Sequence, residues 1–369
     1  MRKQVLFITN YPSPYRVNFY DELGKYVDVT VLFADRVEQK VTRDAEWFEE
    51  SKGGFRMVQL KQRVLTIKGR DLCLDVRQWV RKPFDAIVVC GYASPTAVLA
   101  MQYMRLHRIP FSMEVDGGLI RPDSKWKYRI KRRLVTLPNA WIGSGRQTAK
   151  YLTHYGAEAS AISSYPFSSL WEADIPAAIP TPEEKQALRQ TLGIREEKVV
   201  ISVSRFIPSK RLDMLIRSAA DLGSDVGVYI IGGIPTQAYT DLQRELGAEN
   251  VHFVGFLKKD KLTQYYQAAD LFALPTQSDV WGLVINEAMA QGLPVVTTDG
   301  CVAGVELIEN GINGYIVPVD DNKALTEAIT KTLRADYRQM GRQALETIRP
   351  YTIENMVKAH VEIFSDGRK

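Results

Sequence analysis

Apolar residues in this chain gather into short unbroken runs, and a stretch with helical spacing follows most of them. Val5-Leu6-Phe7-Ile8 is the core of the first such run, and the runs near 4–9, 27–34, 85–91, 109–115, 139–144 and 160–165 predict six strands in the first half. Six more fall near 198–204, 226–232, 251–256, 271–275, 294–298 and 314–317. Continuous rather than alternating apolar runs are what strands need when helices cover both faces of a parallel sheet. Segments such as Leu212 to Ala220 have the spacing to supply the crossovers. The pattern predicts an α/β protein built from two doubly wound, Rossmann-like domains that face each other across a cleft. Proline and alanine crowd Trp171 to Pro182 and place a hinge there. The expected division is a first domain over 1–170, a second over 171–350, and a closing helical segment, 351–369, packed back on the first domain. Ligands of open α/β sheets bind beyond the carboxyl ends of the strands, so the cleft is the expected active site.

Composition narrows the class. The length of 369 residues suits two or three domains. No apolar run reaches the ~18 residues of a membrane span, and the first is too short for a signal peptide. Cys73, Cys90 and Cys301 form no disulfide framework, and neither they nor the four histidines have metal-ligand spacing. Reduced thiols in a cytoplasmic protein and no bound metal are therefore expected. Charge is divided unevenly: residues 1–165 hold 27 Lys+Arg against 16 Asp+Glu, whereas residues 166–369 hold 21 against 27. The densest basic run, Lys125 to Arg133, has Trp126, Tyr128 and Ile130 interleaved. It suits a solvated helix face or an anionic membrane surface. Nucleic acid is not expected, because no recognised binding motif accompanies the run.

The most informative stretch is Pro275 to Asp299. Leu283 to Ala290 is apolar nearly all round a helix, which marks a buried helix, and Glu287 is the one carboxylate inside it. Such a carboxylate costs several kcal/mol unless it is hydrogen-bonded. Asp279 lies eight positions earlier, with Gly282 leading into the helix. One acid before a helix start and one inside it suit a polyol held near a bound anion, although Asp279 as a cap and Glu287 as a structural ion pair are open at this point. After the strand ending at Val203, Arg205 and Lys210 stand in a strand-to-helix loop. Arginine grips phosphate oxygens with two donors and lysine acts as a point charge. Together with the backbone amides of the loop 279–284, the two cations predict a diphosphate clamp. Gly232 and Gly233 close another strand and allow close approach of backbone to ligand. Phe256 and Leu257 end the next, where Phe256 suits a nucleobase pocket or the core equally. Neither a P-loop nor a G-x-G-x-x-G after the first strand is present, which argues against a nicotinamide enzyme.

The run from Asp279 through Gly282-Leu283 and Glu287-Ala288-Met289-Ala290 to Pro294-Val295-Val296 resembles the family 4 glycosyltransferases, retaining enzymes of the GT-B fold, including members of bacterial polysaccharide biosynthesis. The resemblance is dense over about 198–320 and thin over 1–165. It implies that Arg205 and Lys210 hold a donor diphosphate, and that Asp279 meets hydroxyls of the donor sugar. Trp281, Gly282, Leu283 and Val284 would present backbone amides, and Glu287 would bind the ribose. It also implies transfer without a cofactor or divalent metal.

Two departures stand out. The first acid of the motif is Asp279 where the family has Glu, which leaves the donor sugar open. Pro12-Ser13-Pro14-Tyr15-Arg16 replaces the family's glycine-rich loop, so Arg16 faces either an anionic acceptor or the donor phosphate. Glu114 or Asp116 stands where many members carry a histidine motif near the reacting carbon, with a structural role the alternative. The resulting expectation is a hexosyltransferase using a nucleotide diphosphate sugar, UDP-linked by preference. Its acceptor would be a glycan, lipid-linked, in capsule, O-antigen or other polysaccharide assembly, and its place the inner face of the cell membrane. The rivals are a sugar-nucleotide epimerase of the same architecture and a non-catalytic, nucleotide-sugar-binding subunit that docks on membranes.

Overall fold

The computed structural model describes residues 2–35, 51–67 and 69–366, and these form two compact units, Met1–Ser168 with Thr352–Lys369, and Ser169–Tyr351. The last three positions of the predicted closing segment, 367–369, lie outside the described residues.

The first unit begins with β1 (Gln4–Thr9), α1 (Pro14–Leu23), β2 (Asp28–Phe33), β3 (Arg56–Gln59), β4 (Arg63–Ile67), β5 (Arg70–Cys73) and α2 (Val76–Trp79). It continues with β6 (Ala86–Cys90), α3 (Pro95–Leu106), β7 (Ser112–Val115), α4 (Lys125–Val135), β8 (Ala140–Gly143), α5 (Arg146–His154) and β9 (Ile162–Ser164). Seven strands make one parallel sheet in the order β3-β2-β1-β6-β7-β8-β9, so the winding reverses between β1 and β6. Val5 to Ile8 in the middle of this sheet are at most 1% exposed, as unbroken apolar runs require. The six expected strands of this half are present, and the sheet has a seventh. β3 reads Arg-Met-Val-Gln and is largely exposed at the sheet edge, so it carries no apolar run to betray it. The antiparallel hairpin β4–β5 was also not predicted; β4 is exposed along its whole length.

The second unit holds α6 (Pro182–Leu192), β10 (Lys198–Val203), α7 (Leu212–Asp221), β11 (Val226–Ile231), α8 (Gln237–Glu245), β12 (Val251–Val254) and α9 (Lys259–Ala268). β13 (Leu271–Leu274), α10 (Leu283–Ala290), β14 (Val295–Thr298), α11 (Val302–Leu307), β15 (Gly314–Val317), α12 (Asn322–Arg334) and α13 (Tyr337–Ile348) follow. Its six strands, all predicted, form a parallel sheet in the order β12-β11-β10-β13-β14-β15. Winding reverses between β10 and β13, which opens a crevice at their carboxyl ends.

The last helix, α14 (Ile353–Ser365), belongs to the first unit and lies along α1. It buries Ile353, Met356, Val357, His360 and Phe364. Each large apolar side chain so buried contributes about 1.5–3 kcal/mol. Phe364 meets Phe7 at 6.1 Å between ring centroids, and His360 meets Phe19 at 4.7 Å.

Candidate functional site

Four loops at the carboxyl edge of the second sheet carry the residues singled out from sequence. In strand order they are Phe256 and Leu257 after β12, Gly232 and Gly233 after β11, Arg205 and Lys210 after β10, and Asp279 with the start of α10 after β13. Two contacts bind the middle of this edge across the switch point. The Gln277 amide donates to the Ser209 carbonyl at 2.8 Å, and the Thr276 hydroxyl reaches the same oxygen at 3.1 Å. They bring the Lys210 ammonium into an ion pair with Asp279, both side chains being largely covered. Arg205 is exposed at the end of its strand.

Gly282 starts α10 from a left-handed conformation, with φ at +101°. A Cβ there would stand 2.6 Å from Cys301 Sγ, so both backbone and space demand glycine. The same point is 3.8 Å from Asp279 Oδ2, which sets the carboxylate against the helix start. The first amides of α10, including those of Leu283 and Val284, are among the donors that an α-helix leaves without an intrahelical partner. Trp281 turns its indole inward, where Nε1 donates to Asn286 Oδ1 at 2.9 Å. Gly232 is needed for a similar reason: a Cβ would fall 2.1 Å from the Ser204 carbonyl oxygen, where the loops after β10 and β11 meet. Gly233 faces open space. Phe256 is 53% exposed, which removes it from the core and leaves an apolar ring at this edge.

Glu287 sits on the second turn of α10, and among the described residues the donors hydrogen-bonded to its carboxylate are neutral hydroxyls. The Tyr266 hydroxyl donates to Oε2 at 3.3 Å and the Ser169 hydroxyl to Oε1 at 3.4 Å. Burial pushes its carboxyl up to about 7, and these two hydroxyls with the more distant Lys259 offset only part of that.

In the first unit the structure gathers Arg16, Glu114 and Asp116 into one cluster. Arg16 is 3% exposed, and its guanidinium pairs with Glu114 at 2.6 Å and with Asp116. An arginine so covered is engaged in holding two carboxylates rather than waiting at the surface for an anion. His360 on α14 completes the cluster. Its Nδ1 donates to the Met356 carbonyl at 2.8 Å, which turns Nε2 toward Glu114 Oε1 at 3.7 Å. Burial pushes Glu114 up, but Arg16 and then His360 outweigh it and hold the carboxyl at about 2. Asp116 goes the other way: burial raises it, Arg16 opposes, and the Glu114 charge raises it again. The Tyr165 hydroxyl donates to Asp116 Oδ1 at 3.1 Å, and this carboxylate is 26% exposed.

Tyr165, His360, Tyr266, Ser169 and Thr276 escaped the sequence reading. Their partners are 21 to 246 positions away along the chain, so no local spacing announces them.

Residues 184–347 match the family model described as "Glycosyl transferases group 1". Among curated proteins, the D-inositol 3-phosphate glycosyltransferase of Mycobacteroides abscessus is 36% identical over 176 residues, 45% of this chain and 39% of that protein. The protein of the same name from Nocardia farcinica is 32% identical over 201 residues, 50% of this chain and 44% of its own. The chain thus spans about two-fifths of the length of the curated relatives it matches. Solved structures match along nearly the whole chain. Anabaena Alr3699/HepE in complex with UDP has a TM-score of 0.76 at 20% identity, covering 99% of this chain and 100% of that one. Sucrose-phosphate synthase from Thermosynechococcus elongatus has a TM-score of 0.74 at 18% identity, covering 99% of each. The fold is the expected one, of the GT-B kind with two Rossmann-like α/β units.

Proposed function

We propose that this protein is a retaining glycosyltransferase that moves a hexosyl unit from a nucleotide diphosphate sugar to a glycan acceptor carried on a lipid, in polysaccharide assembly such as that of capsule or O-antigen. The observation that carries the reading is the Lys210–Asp279 pair set against the start of α10 at the switch point of the second sheet. It joins a cation for a diphosphate, a carboxylate for sugar hydroxyls and a helix N-terminus for anionic oxygen in one place. UDP is favoured as the nucleotide because the Anabaena protein of the same fold was crystallised with UDP and with UDP-glucose.

In this reading the bond between the anomeric carbon and the diphosphate oxygen breaks, and the charge that develops falls on the departing phosphate. Lys210, Arg205 and the first amides of α10 stabilise that charge, and side chains do what a divalent metal would do elsewhere. The acceptor hydroxyl attacks from the same face and passes its proton to the leaving phosphate. Asp116, with Oδ1 held by Arg16 and Tyr165, orients that hydroxyl from the acceptor side. Glu287 accepts the ribose hydroxyls, and Phe256 offers a ring to the base.

The test is a thermal-shift panel of UDP, GDP, ADP and TDP sugars on the full chain. A ligand at 100 times its Kd stabilises by about 2.7 kcal/mol, so a UDP-sugar should raise the melting temperature above the others. A panel in which no nucleotide sugar moves it sinks the proposal.

A pH dependence follows from Glu287. Ribose hydroxyls are donors and need the ionised carboxylate, so donor affinity should climb as pH rises through about 7. Titration calorimetry at several pH values reads this, and Glu287→Gln should bind more weakly with a flat profile. The stability sign is opposite. A carboxyl raised by folding favours the folded state below its unfolded value of about 4.3. That contribution is lost as pH rises through about 7.

A further inference from the structure

α4 carries six cations, Lys125, Lys127, Arg129, Lys131, Arg132 and Arg133, and no acid. Asp123, just ahead of the helix, draws two of them in: Lys127 at 3.1 Å and Lys131 at 2.9 Å. The Tyr155 hydroxyl donates to the same carboxylate, and Ser124 caps the helix by accepting from the Lys127 amide at 3.4 Å. Tyr128, Leu134 and Val135 pack inward on the core of the first unit. The helix is therefore fixed in place, and its other side is left to solvent.

That outer side is unusual for a protein surface. Trp126 is 72% exposed and Ile130 42%, one helical turn apart, and Ile120 on the loop leading in is 50% exposed. Lys125, Arg129 and Arg133 stand exposed around them. Single exposed apolar residues need no explanation. Three large ones on one loop and helix, framed by cations without an acid among them, do. A helix with cations and tryptophan on its free face suits the interface of a bilayer, where rings and aliphatic chains sink among the acyl chains and cations meet headgroup phosphates. Nucleic acid would use the cations but has nothing to offer Ile120 or Ile130.

We propose that Ile120, Trp126 and Ile130, with Lys125, Arg129 and Arg133, form a docking face for an anionic lipid bilayer. The loop that carries Ile120 starts from Asp116 at the carboxyl end of β7, only four residues earlier. Docking through this face brings the acceptor-side carboxylate to the bilayer, where a lipid-linked acceptor lies. This deepens the proposed function by naming the surface, but binding itself needs no glycosyl transfer, so the two fail separately: nucleotide-sugar shifts read one and vesicles the other.

The experiment is flotation of the full chain with vesicles of phosphatidylglycerol and phosphatidylcholine in equal parts, and with phosphatidylcholine alone. Wild type should float with the anionic vesicles at about 0.1 M salt, stay behind at about 1 M, and ignore the neutral vesicles. R129Q/R133Q should bind about 25-fold more weakly, each cation being worth about fivefold. W126A/I130A should lose tenfold or more. All four positions are exposed, so both variants should melt like wild type. The proposal is overturned if wild type does not float with anionic vesicles, or if either variant floats as well as wild type. Retention on single-stranded RNA without flotation, abolished in R129Q/R133Q and kept in W126A/I130A, would overturn it in favour of nucleic acid.

Discussion

Lys210→Ala will slow UDP release from the preferred donor by about 10²–10³-fold, the range seen when one preorganised charge-stabilising donor is removed. The ammonium is paired with Asp279 and stands beside the helix start where a leaving diphosphate would develop its charge. Stability should hardly change, because both side chains, though largely covered, keep contact with water at the sheet edge, and a pair that water still reaches is worth about 0–1 kcal/mol. That contrast is the useful part: a large loss of rate with an unchanged melting temperature separates chemistry from folding. Lys210→Arg keeps the charge but not the point geometry, and should recover only part of the rate. The measurement is the initial rate of UDP release in the presence of lipid-extracted acceptor. A Lys210→Ala rate within about threefold of wild type would remove the cationic clamp from the mechanism.

Arg16→Ala should cost about 3–5 kcal/mol of stability, the penalty for removing one partner of a buried charge pair. Glu114 has a fully covered side chain and Asp116 is mostly covered, so the substitution strands one carboxylate where water cannot solvate it and leaves the other only partly solvated. The pH profile should change sign as well. In wild type the depressed Glu114 carboxyl stabilises the fold above its unfolded value of about 4.3. That contribution is lost only as pH falls through about 2. Without Arg16, burial dominates and lifts the folded value above the unfolded one. The variant should then be most stable in acid and weaken as pH rises. Denaturant midpoints of the first unit between about pH 3 and pH 8 would show the reversal. A midpoint unchanged by the substitution across that range would mean that Arg16 does not hold the cluster.

Several elements were legible because a single physical demand wrote each into adjacent residues. Leu283 to Ala290 had to be apolar nearly all round, since α10 is covered on almost every side, and its bounds in the structure are those of the run read from sequence. Gly282 announced a turn that only glycine can make, and the loops after β10 and β13 marked themselves by charge. β3 and the β4–β5 hairpin were silent because exposed, polar strands at an edge need no apolar run. Phe256 was ambiguous because a ring in a core and a ring at a binding edge look alike until exposure is known.

By itself the order of residues determined the class of fold, twelve of the strands, and which loops bear cations and acids. Each of these depends on neighbours within a few positions, through burial periodicity, glycine conformations or charge. Only the tertiary structure decided what those charges meet. It turned Arg16 from a free cation into the clamp of Glu114 and Asp116, put His360 of the last helix behind them, and set Lys210 on Asp279. Those partners lie 69 to 246 positions apart. Over such distances pairing is chosen by how strands order themselves in a sheet and where helices pack, and composition and spacing carry no record of either.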